Sequence, residues 1–149
     1  MSRIAGRFQQ LAKQSRTALI PYVVAGDPGL DVTVPLMHRL VDSGADIIEL
    51  GMPYSDPLAD GPVIQQSSSI AIANGMTIAR LFEQLKDFRN EIHLPVILMG
   101  YMNPVLQYGF EKFCAAAAAI GIDGIILPDL PPGDDAATGR VRGGDLLRS

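Results

Sequence analysis

The chain has 149 residues, of which 48% are hydrophobic and 19% are charged, and its formal net charge is -4 at pH 7. This length suits one ordinary domain, and the composition excludes a disordered chain, because disorder requires low hydrophobicity together with high charge. An acidic chain offers no electrostatic footprint for a phosphate backbone, so we expect no nucleic-acid partner. No apolar run approaches the roughly 20 residues of a membrane-spanning helix, so we expect no membrane association and a cytoplasmic location.

The residues that usually bind metals are scarce. Cys114 is the only cysteine, which excludes an internal disulfide and a cysteine-based zinc site. His38 and His93 are the only histidines. The sequence therefore predicts no metal site.

The N-terminal segment has two interpretations. Its first 16 residues carry basic but no acidic side chains, as an organellar transit peptide would. However, Ile4, Phe8 and Leu11 recur at the spacing of one helix face, which favours a short helix packed on the core.

Short apolar runs alternate with longer helical patterns in the rest of the chain. The runs are rich in Ile, Val and Leu and are bounded by Gly or Pro, which is typical of buried parallel strands; they cover residues 18–24, 46–50, 95–99 and 124–130. Helical spacing covers residues 32–41, 64–72, 78–88 and 110–120. The predicted fold class is α/β, in the order βαβαβαβ.

Two segments, residues 43–53 and 120–131, are alike. Each has a glycine where a helix ends in the left-handed region, then an aspartate, then an apolar strand that ends in a carboxylate near proline. Repeated βα units of this kind favour a TIM (β/α)8 barrel or a doubly wound sheet. Because the GxGxxG and P-loop motifs are absent, the barrel is the preferred interpretation.

The length covers only part of a barrel. A complete one typically takes about 250 residues, so only about the first four βα units fit here. We assign residues 1–132 to the N-terminal half of a TIM barrel. Residues 133–149 lack a sustained apolar stripe, and we interpret them as an aberrant tail from a truncation or frameshift. Such a half barrel would expose two sheet edges.

Glu49 is the first candidate for chemistry, because it interrupts an apolar strand near its carboxyl end. Burial of an unpaired carboxylate is costly and raises its pKa, which suits a general acid or base. Alternatively, Glu49 reaches solvent or pairs with a basic residue. Asp56 and Asp60 follow in a proline-rich loop, where each could serve simply as a turn or capping residue.

These residues carry a family resemblance. Residues 49–65 read ELGMPYSDPLADGPVIQ, residues 21–28 read PYVVAGDP, and further matches lie at residues 99–104 and 121–131. Together they resemble the tryptophan synthase alpha chain family over about residues 4–132. The resemblance implies a TIM barrel lyase that cleaves indole-3-glycerol phosphate into indole and glyceraldehyde 3-phosphate by a retro-aldol reaction, with no cofactor in this subunit.

The resemblance also implies roles for individual residues. Glu49 matches the catalytic glutamate, and Asp60 matches the second acid, which accepts the indole N–H. Tyr22, Ile126 and Pro128 fall where the family lines its indole pocket, although the family usually has phenylalanine at the first position and alanine at the last.

The implied partner is the tryptophan synthase beta chain, in an alpha2-beta2 tetramer. Asp56 and Pro57 match the loop that packs against that chain, which holds pyridoxal phosphate and receives indole through a tunnel.

The family's phosphate-binding loops follow strands seven and eight, and this chain does not contain them. We therefore expect the 149-residue chain alone to have little or no activity. Two alternatives stay open: a non-catalytic remnant that only binds the beta chain, and a different phosphate-handling barrel, against which the proline-rich loop argues.

Overall fold

The computed structural model describes residues 2–57 and 59–130. Helices alternate with short strands along these residues, as the apolar pattern predicts. The α-helices are α1 (Arg3–Lys13), α2 (Thr33–Asp42), α3 (Pro62–Ala73), α4 (Ile78–Leu85), α5 (Met102–Tyr108) and α6 (Phe110–Ile120), with a 3-10 turn at Phe88–Asn90. The strands are β1 (Tyr22–Val24), β2 (Ile48–Gly51), β3 (Val96–Met99) and β4 (Gly124–Ile126).

The strands form one four-stranded sheet in the order β1-β2-β3-β4, and every neighbouring pair is parallel. Each strand therefore lies beside the next one in the chain. A doubly wound sheet would reverse its strand order at a switch point, whereas sequential order is the order of a barrel. The described residues thus form four strands of a TIM-barrel-type sheet, and the predicted fold class is confirmed.

One face of the sheet packs on the helices. The register places Val23, Leu50, Leu98 and Ile125 in one row across the strands. Leu50 and Leu98 are fully buried in this row, as are Leu81 and Leu85 on α4. Burial of each such side chain contributes about 1.5–3 kcal/mol to stability.

The opposite face carries Tyr22 and Glu49 beside apolar residues. Tyr22 aligns with Glu49 on β2, which aligns with Ile97 on β3 and then with Gly124 on β4. Helix α1 reaches the amino-terminal end of this face, where a Cβ added at Gly124 would lie 3.4 Å from the Ile4 side chain. The α1 helix is therefore part of the fold.

The reused βα unit is confirmed in detail. Gly44 and Gly121, which follow α2 and α6, have φ angles of +98° and +86°, where glycine avoids the steric cost of a Cβ. The aspartate that follows each glycine is buried and binds the strand beside it. The Asp46 N–H donates to the Leu19 carbonyl while its carboxylate accepts the Leu19 N–H, and Asp123 makes the same pair of bonds with Val96.

Several details differ from the sequence prediction. Strand β4 ends at Ile126 rather than at residue 130. Strand β1 begins at Tyr22 rather than at residue 18, because Pro21 has no N–H to donate to the ladder. Helix α5 was not predicted. The Phe8 side chain, expected on the core, is 47% exposed, whereas Leu11 is buried as expected.

No helix among the described residues is both long and apolar enough to cross a membrane. The predicted aberrant tail at residues 133–149 lies outside the described residues. The boundary at residue 132 therefore stays a prediction.

Candidate active site

The candidate site extends from Tyr22 and Glu49, which are neighbours on β1 and β2, towards the carboxyl end of the sheet, where the loop with Asp60 follows β2. The Tyr22 ring fits over Gly51 because glycine has no Cβ; a Cβ at this position would overlap the Tyr22 hydroxyl. The phenol lies across β2 and reaches the Met99 sulfur on β3, with 3.9 Å between oxygen and sulfur. The Tyr22 ring therefore forms a flat aromatic surface beside the Glu49 carboxylate.

Glu49 is half-buried, and within the described residues its carboxylate has neither a hydrogen-bond nor an ion-pair partner. Loss of hydration raises the pKa of this carboxyl group above its ordinary value. Glu49 is therefore a partly desolvated carboxyl group, and no basic side chain pairs with it among the described residues.

Asp60 lies on the loop between β2 and α3, close to two phenols. The negative charge of Asp60 is, after burial, the largest contribution that raises the pKa of both Tyr22 and Tyr101. For Tyr22 the result is a pKa of about 12, and Glu49 adds to it. The fold therefore brings Tyr22, Glu49 and Asp60 into one electrostatic cluster with Tyr101.

The loop that carries Asp60 is held by α5. The Tyr101 hydroxyl accepts a hydrogen bond of 3.2 Å from the Ala59 N–H, and its ring lies 5.3 Å from the ring of Tyr54. The Asn103 side-chain amide donates to the Tyr54 hydroxyl at 3.2 Å. On the same loop Pro57 is buried while Asp56 is exposed to solvent.

Ile126 and Pro128 lie across the sheet from Tyr22. Ile126 ends β4, aligns with Met99 and is 42% exposed. Pro128 is exposed just after the strand. The structure places both on the carboxyl side of the sheet, although neither is enclosed by described residues.

Sequence reasoning missed Tyr101 and Asp129. The Asp129 carboxylate accepts the Met102 N–H at 3.0 Å and so caps α5, which keeps the adjacent Tyr101 beside the Asp60 loop. An aromatic residue directly after the third apolar run was the available signal for Tyr101. Asp129 was visible as the carboxylate that ends the second of the two similar segments, but its bond to Met102 could not be predicted because the two residues lie far apart in the chain.

A groove of about 460 Å³ adjoins Tyr22 on the β1 side and is lined by β1, α3 and Leu36 of α2. Asp27 lines its mouth and accepts a hydrogen bond from Ser67. Its apolar walls include Val24 and Ile64. No three His, Cys, Asp or Glu side chains come together as a metal site within residues 2–57 and 59–130.

Comparison with known proteins identifies the family. The family model for the tryptophan synthase alpha chain matches residues 8–141. The chain belongs to the tryptophan synthase alpha chain family. The alpha chain of Dechloromonas aromatica is 52% identical over 140 residues, which cover 93% of this chain and 52% of that one. The alpha chain of Acidithiobacillus ferrooxidans is 54% identical over 151 residues, which cover 99% and 56%.

Solved structures agree with the sequence relatives. Tryptophan synthase subunit alpha from Legionella pneumophila matches with a TM-score of 0.86 and 45% identity over 91% of this chain and 52% of that one. Tryptophan synthase from M. tuberculosis in an aminoacrylate-bound form matches with a TM-score of 0.84 and 37% identity, over 91% and 55%. This member of the family thus spans about half the length of the relatives that it matches.

Proposed function

We propose that this chain supplies the acid-base half of a lyase site for indole-3-glycerol phosphate, in tryptophan biosynthesis. The observation that carries the proposal is the desolvated, unpartnered Glu49 carboxyl group within the described residues, next to the flat Tyr22 ring. The reaction is a retro-aldol cleavage to indole and glyceraldehyde 3-phosphate.

Glu49 is the proposed proton carrier. Cleavage requires a proton at indole C3 and the removal of a hydroxyl proton from the glycerol side chain. Burial raises the pKa of the Glu49 carboxyl group, and a raised pKa makes a carboxyl group better suited to act as a general acid and base. Glu49 is only half-buried here, so a ligand that covers it would raise this pKa further.

Asp60 is the proposed acceptor for the indole N–H. Positive charge develops on the ring as C3 is protonated, and a fixed carboxylate beside the nitrogen stabilises that charge. The bond between Tyr101 and Ala59 supports this role, because it fixes the loop next to Asp60.

Tyr22, Ile126 and Pro128 are the proposed walls of the indole pocket. A planar apolar ligand favours flat apolar contacts, and the exposed Ile126 leaves such a surface open on the carboxyl side. The Tyr22 hydroxyl fills space above Gly51 that a phenylalanine would leave free, so we expect a smaller pocket than in relatives with phenylalanine.

The proposed partner is the tryptophan synthase beta chain, bound through Asp56 and Pro57 in an alpha2-beta2 tetramer. Asp56 is exposed and available for such a contact. The cluster of Tyr22, Glu49, Asp60 and Tyr101 contains no lysine amine of the kind that holds pyridoxal phosphate. As the family resemblance implies, we assign that cofactor to the beta chain and derive no step of this chain through it.

The 149-residue chain alone is proposed to be inactive or nearly so. The resemblance assigns the substrate phosphate to loops in the second half of the barrel, and this chain spans about half of its relatives. Without those loops the chain lacks the phosphate-binding energy that helps to lower the barrier of the cleavage step. An indole-release assay with excess beta chain tests this directly, and near-normal turnover would contradict it.

A chimaera tests the catalytic assignment. Residues 1–130 would be joined to the part of the Dechloromonas aromatica alpha chain that this chain does not match; the matched part is 52% identical over 140 residues. We expect indole production in the chimaera and a loss of about 10²- to 10⁴-fold on Glu49→Gln, the range for general acid-base groups. Asp31→Asn, at an exposed position outside the site, is the control. Unchanged turnover in Glu49→Gln would refute the proposal.

The second candidate function, beta-chain binding without catalysis, is favoured by the half-length coverage. A pull-down of the beta chain with this chain would support it if Asp56→Lys weakens binding and Asp31→Lys does not. Absence of binding would reject it.

A further inference from the structure

A cavity of about 380 Å³ lies at the amino-terminal end of the sheet, opposite the end that carries the candidate active site. One wall is α1, with Arg3, Arg7 and Gln10, and the other is the segment at residues 93–95 that leads into β3. We call it the basal cavity. Its volume falls within the roughly 300–1,000 Å³ that is typical of sites for small molecules.

Ion pairs fix α1 at both ends of the basal cavity. The Arg7 guanidinium lies 2.6 Å from the Asp46 carboxylate just before β2, and the Arg3 guanidinium lies 2.7 Å from the Asp123 carboxylate just before β4. Because β3 lies between β2 and β4 in the sheet, α1 passes across the start of β3. The walls and both ion pairs belong to residues 3–123, so these residues define the shape of the cavity.

The charge around the basal cavity is positive. Four arginines share two carboxylates, with Arg7 and Arg16 on Asp46 and with Arg3 and Arg89 on Asp123. No acidic residue precedes Asp27 in the sequence, and Glu91, two residues before His93, pairs with His38 on α2 at 3.1 Å. The cluster of arginines therefore keeps a formal excess of two positive charges.

Hydrogen-bond donors around the cavity lack acceptors among the described residues. Arg3 donates from Nε to Asp123 and from Nη2 to the Gly121 carbonyl, whereas its Nη1 has no acceptor. The Arg7 Nε–H is buried without one. The exposed His93 ring has neither a hydrogen bond nor an ion pair within this part of the chain. An anion in the cavity would give Arg3 and His93 an acceptor and would offset the excess charge beside Arg7.

We propose that the basal cavity binds a phosphate dianion, as inorganic phosphate or as a small phosphate monoester. A phosphate group carries about 1.5–2 negative charges at pH 7, which match the excess positive charge, whereas a carboxylate carries only one. The planar guanidinium group suits the geometry of phosphate oxygens. Leu94 and Pro95 in the wall offer an apolar surface to the organic part of a monoester. The site uses none of Tyr22, Glu49 and Asp60, so it is independent of the proposed lyase function.

Calorimetric titration of the 149-residue chain at constant ionic strength tests this proposal. Inorganic phosphate and glycerol 3-phosphate should each bind saturably with one site per chain, and the ester should bind at least as tightly because of its contact with the apolar wall. Acetate, a monoanion, should bind about 10-fold or more weakly, since it lacks the second charge. Absence of saturable phosphate binding, or acetate that binds as tightly as phosphate, would overturn the proposal.

Variants of the two accessible donors locate the site. Arg3→Gln should raise the dissociation constant for phosphate by about 10-fold or more, because it removes a charged donor. His93→Gln should raise it by about 3-fold, the effect of one uncharged hydrogen bond. Arg80→Gln is the control for the loss of one positive charge, because Arg80 is exposed on α4 and does not line the cavity. This control should leave the dissociation constant unchanged.

Two further measurements separate binding from folding. Circular dichroism and urea unfolding verify that Arg3→Gln is folded, as expected because Asp123 keeps its bonds from Arg89 and the Val96 N–H. If that variant unfolds, His93→Gln decides, since it breaks no bond of the described residues. In NMR titrations with phosphate, the amide shifts should change at residues 3–10 and 93–95. Shifts confined to other residues, or unchanged affinity in the folded variants, would refute a site in the basal cavity.

Discussion

The carboxylates towards the two ends of the sheet differ in burial and in pairing: Asp46 and Asp123 are buried and paired, whereas Glu49 is half-buried. At the amino-terminal end Asp46 accepts hydrogen bonds from Arg7 at 2.6 Å, Arg16 at 2.9 Å and the Leu19 N–H at 2.8 Å. Asp123 is bound in the same way by Arg3, Arg89 and a backbone N–H. At the carboxyl end Glu49 lies on the same sheet without a partner among the described residues.

The pKa shifts follow this difference. The backbone bond from Leu19 and the two arginines hold the pKa of Asp46 below its ordinary value despite burial. Burial without compensation raises the pKa of Glu49. Asp46 and Asp123 thus stabilise the fold. The unpaired Glu49 carboxyl group lowers stability and is free to react, which is typical of a functional site.

The largest expected effect is at Asp123. Asp123→Ala leaves the Arg89 guanidinium without its carboxylate partner and the Val96 N–H without its acceptor, so the free energy of unfolding should fall by about 3 kcal/mol or more. Urea unfolding of this variant against Asp31→Ala, an exposed aspartate, measures the difference. If the free energy of unfolding fell no more than in the control, the structural role assigned to Asp123 would be contradicted.

Acid should weaken the amino-terminal end through Asp46. Because the folded pKa of Asp46 is lowered, its stabilisation is complete above the unfolded value of 3.8 and is lost as pH falls through the folded pKa. The difference in unfolding free energy between wild type and Asp46→Asn should therefore be large at pH 7 and shrink below about pH 4. A difference independent of pH would contradict this assignment.

A smaller effect is expected from the loop contact at the carboxyl end. Tyr101→Phe removes the acceptor for the Ala59 N–H and should cost about 1 kcal/mol, with faster amide exchange at Ala59. Tyr108→Phe is the matched control, because the Tyr108 hydroxyl has no hydrogen bond among the described residues. Equal exchange rates in the two variants would mean that α5 does not hold the loop.

The smallest effect, of opposite sign, is expected at Glu49. Its raised pKa means that the ionised form is disfavoured in the folded state, so wild type is penalised above the folded pKa and the penalty disappears below the unfolded value of 4.5. Glu49→Gln should slightly raise the free energy of unfolding at pH 8 and leave it unchanged at pH 4. A clear loss of stability in Glu49→Gln would mean that Glu49 stabilises the fold, as Asp46 and Asp123 do.

Much of the fold could be predicted from local patterns. Helix α6 has the predicted bounds, and the others shift by one or a few residues, because apolar spacing and glycine stops act within one element. Glu49 was a candidate for a similar reason, since a carboxylate inside an apolar strand is costly wherever the strand packs.

Helix α5 could not be predicted in this way. Its first N–H is capped by Asp129, which lies 27 residues further along the chain. Pro104 in the first turn is compatible with a helix but does not require one.

The sequence by itself determined the alternation of strands and helices along the chain, the reused βα unit and the motifs that indicate the family. Each of these is a pattern of residues that lie close together in the chain. Only the tertiary structure decided which carboxylates are paired. Asp46, Asp123 and Glu49 look alike as acids next to apolar strands, but arginines from α1 and from the 3-10 turn reach one end of the sheet alone. The energy of a buried charge depends on partners that only folding brings near.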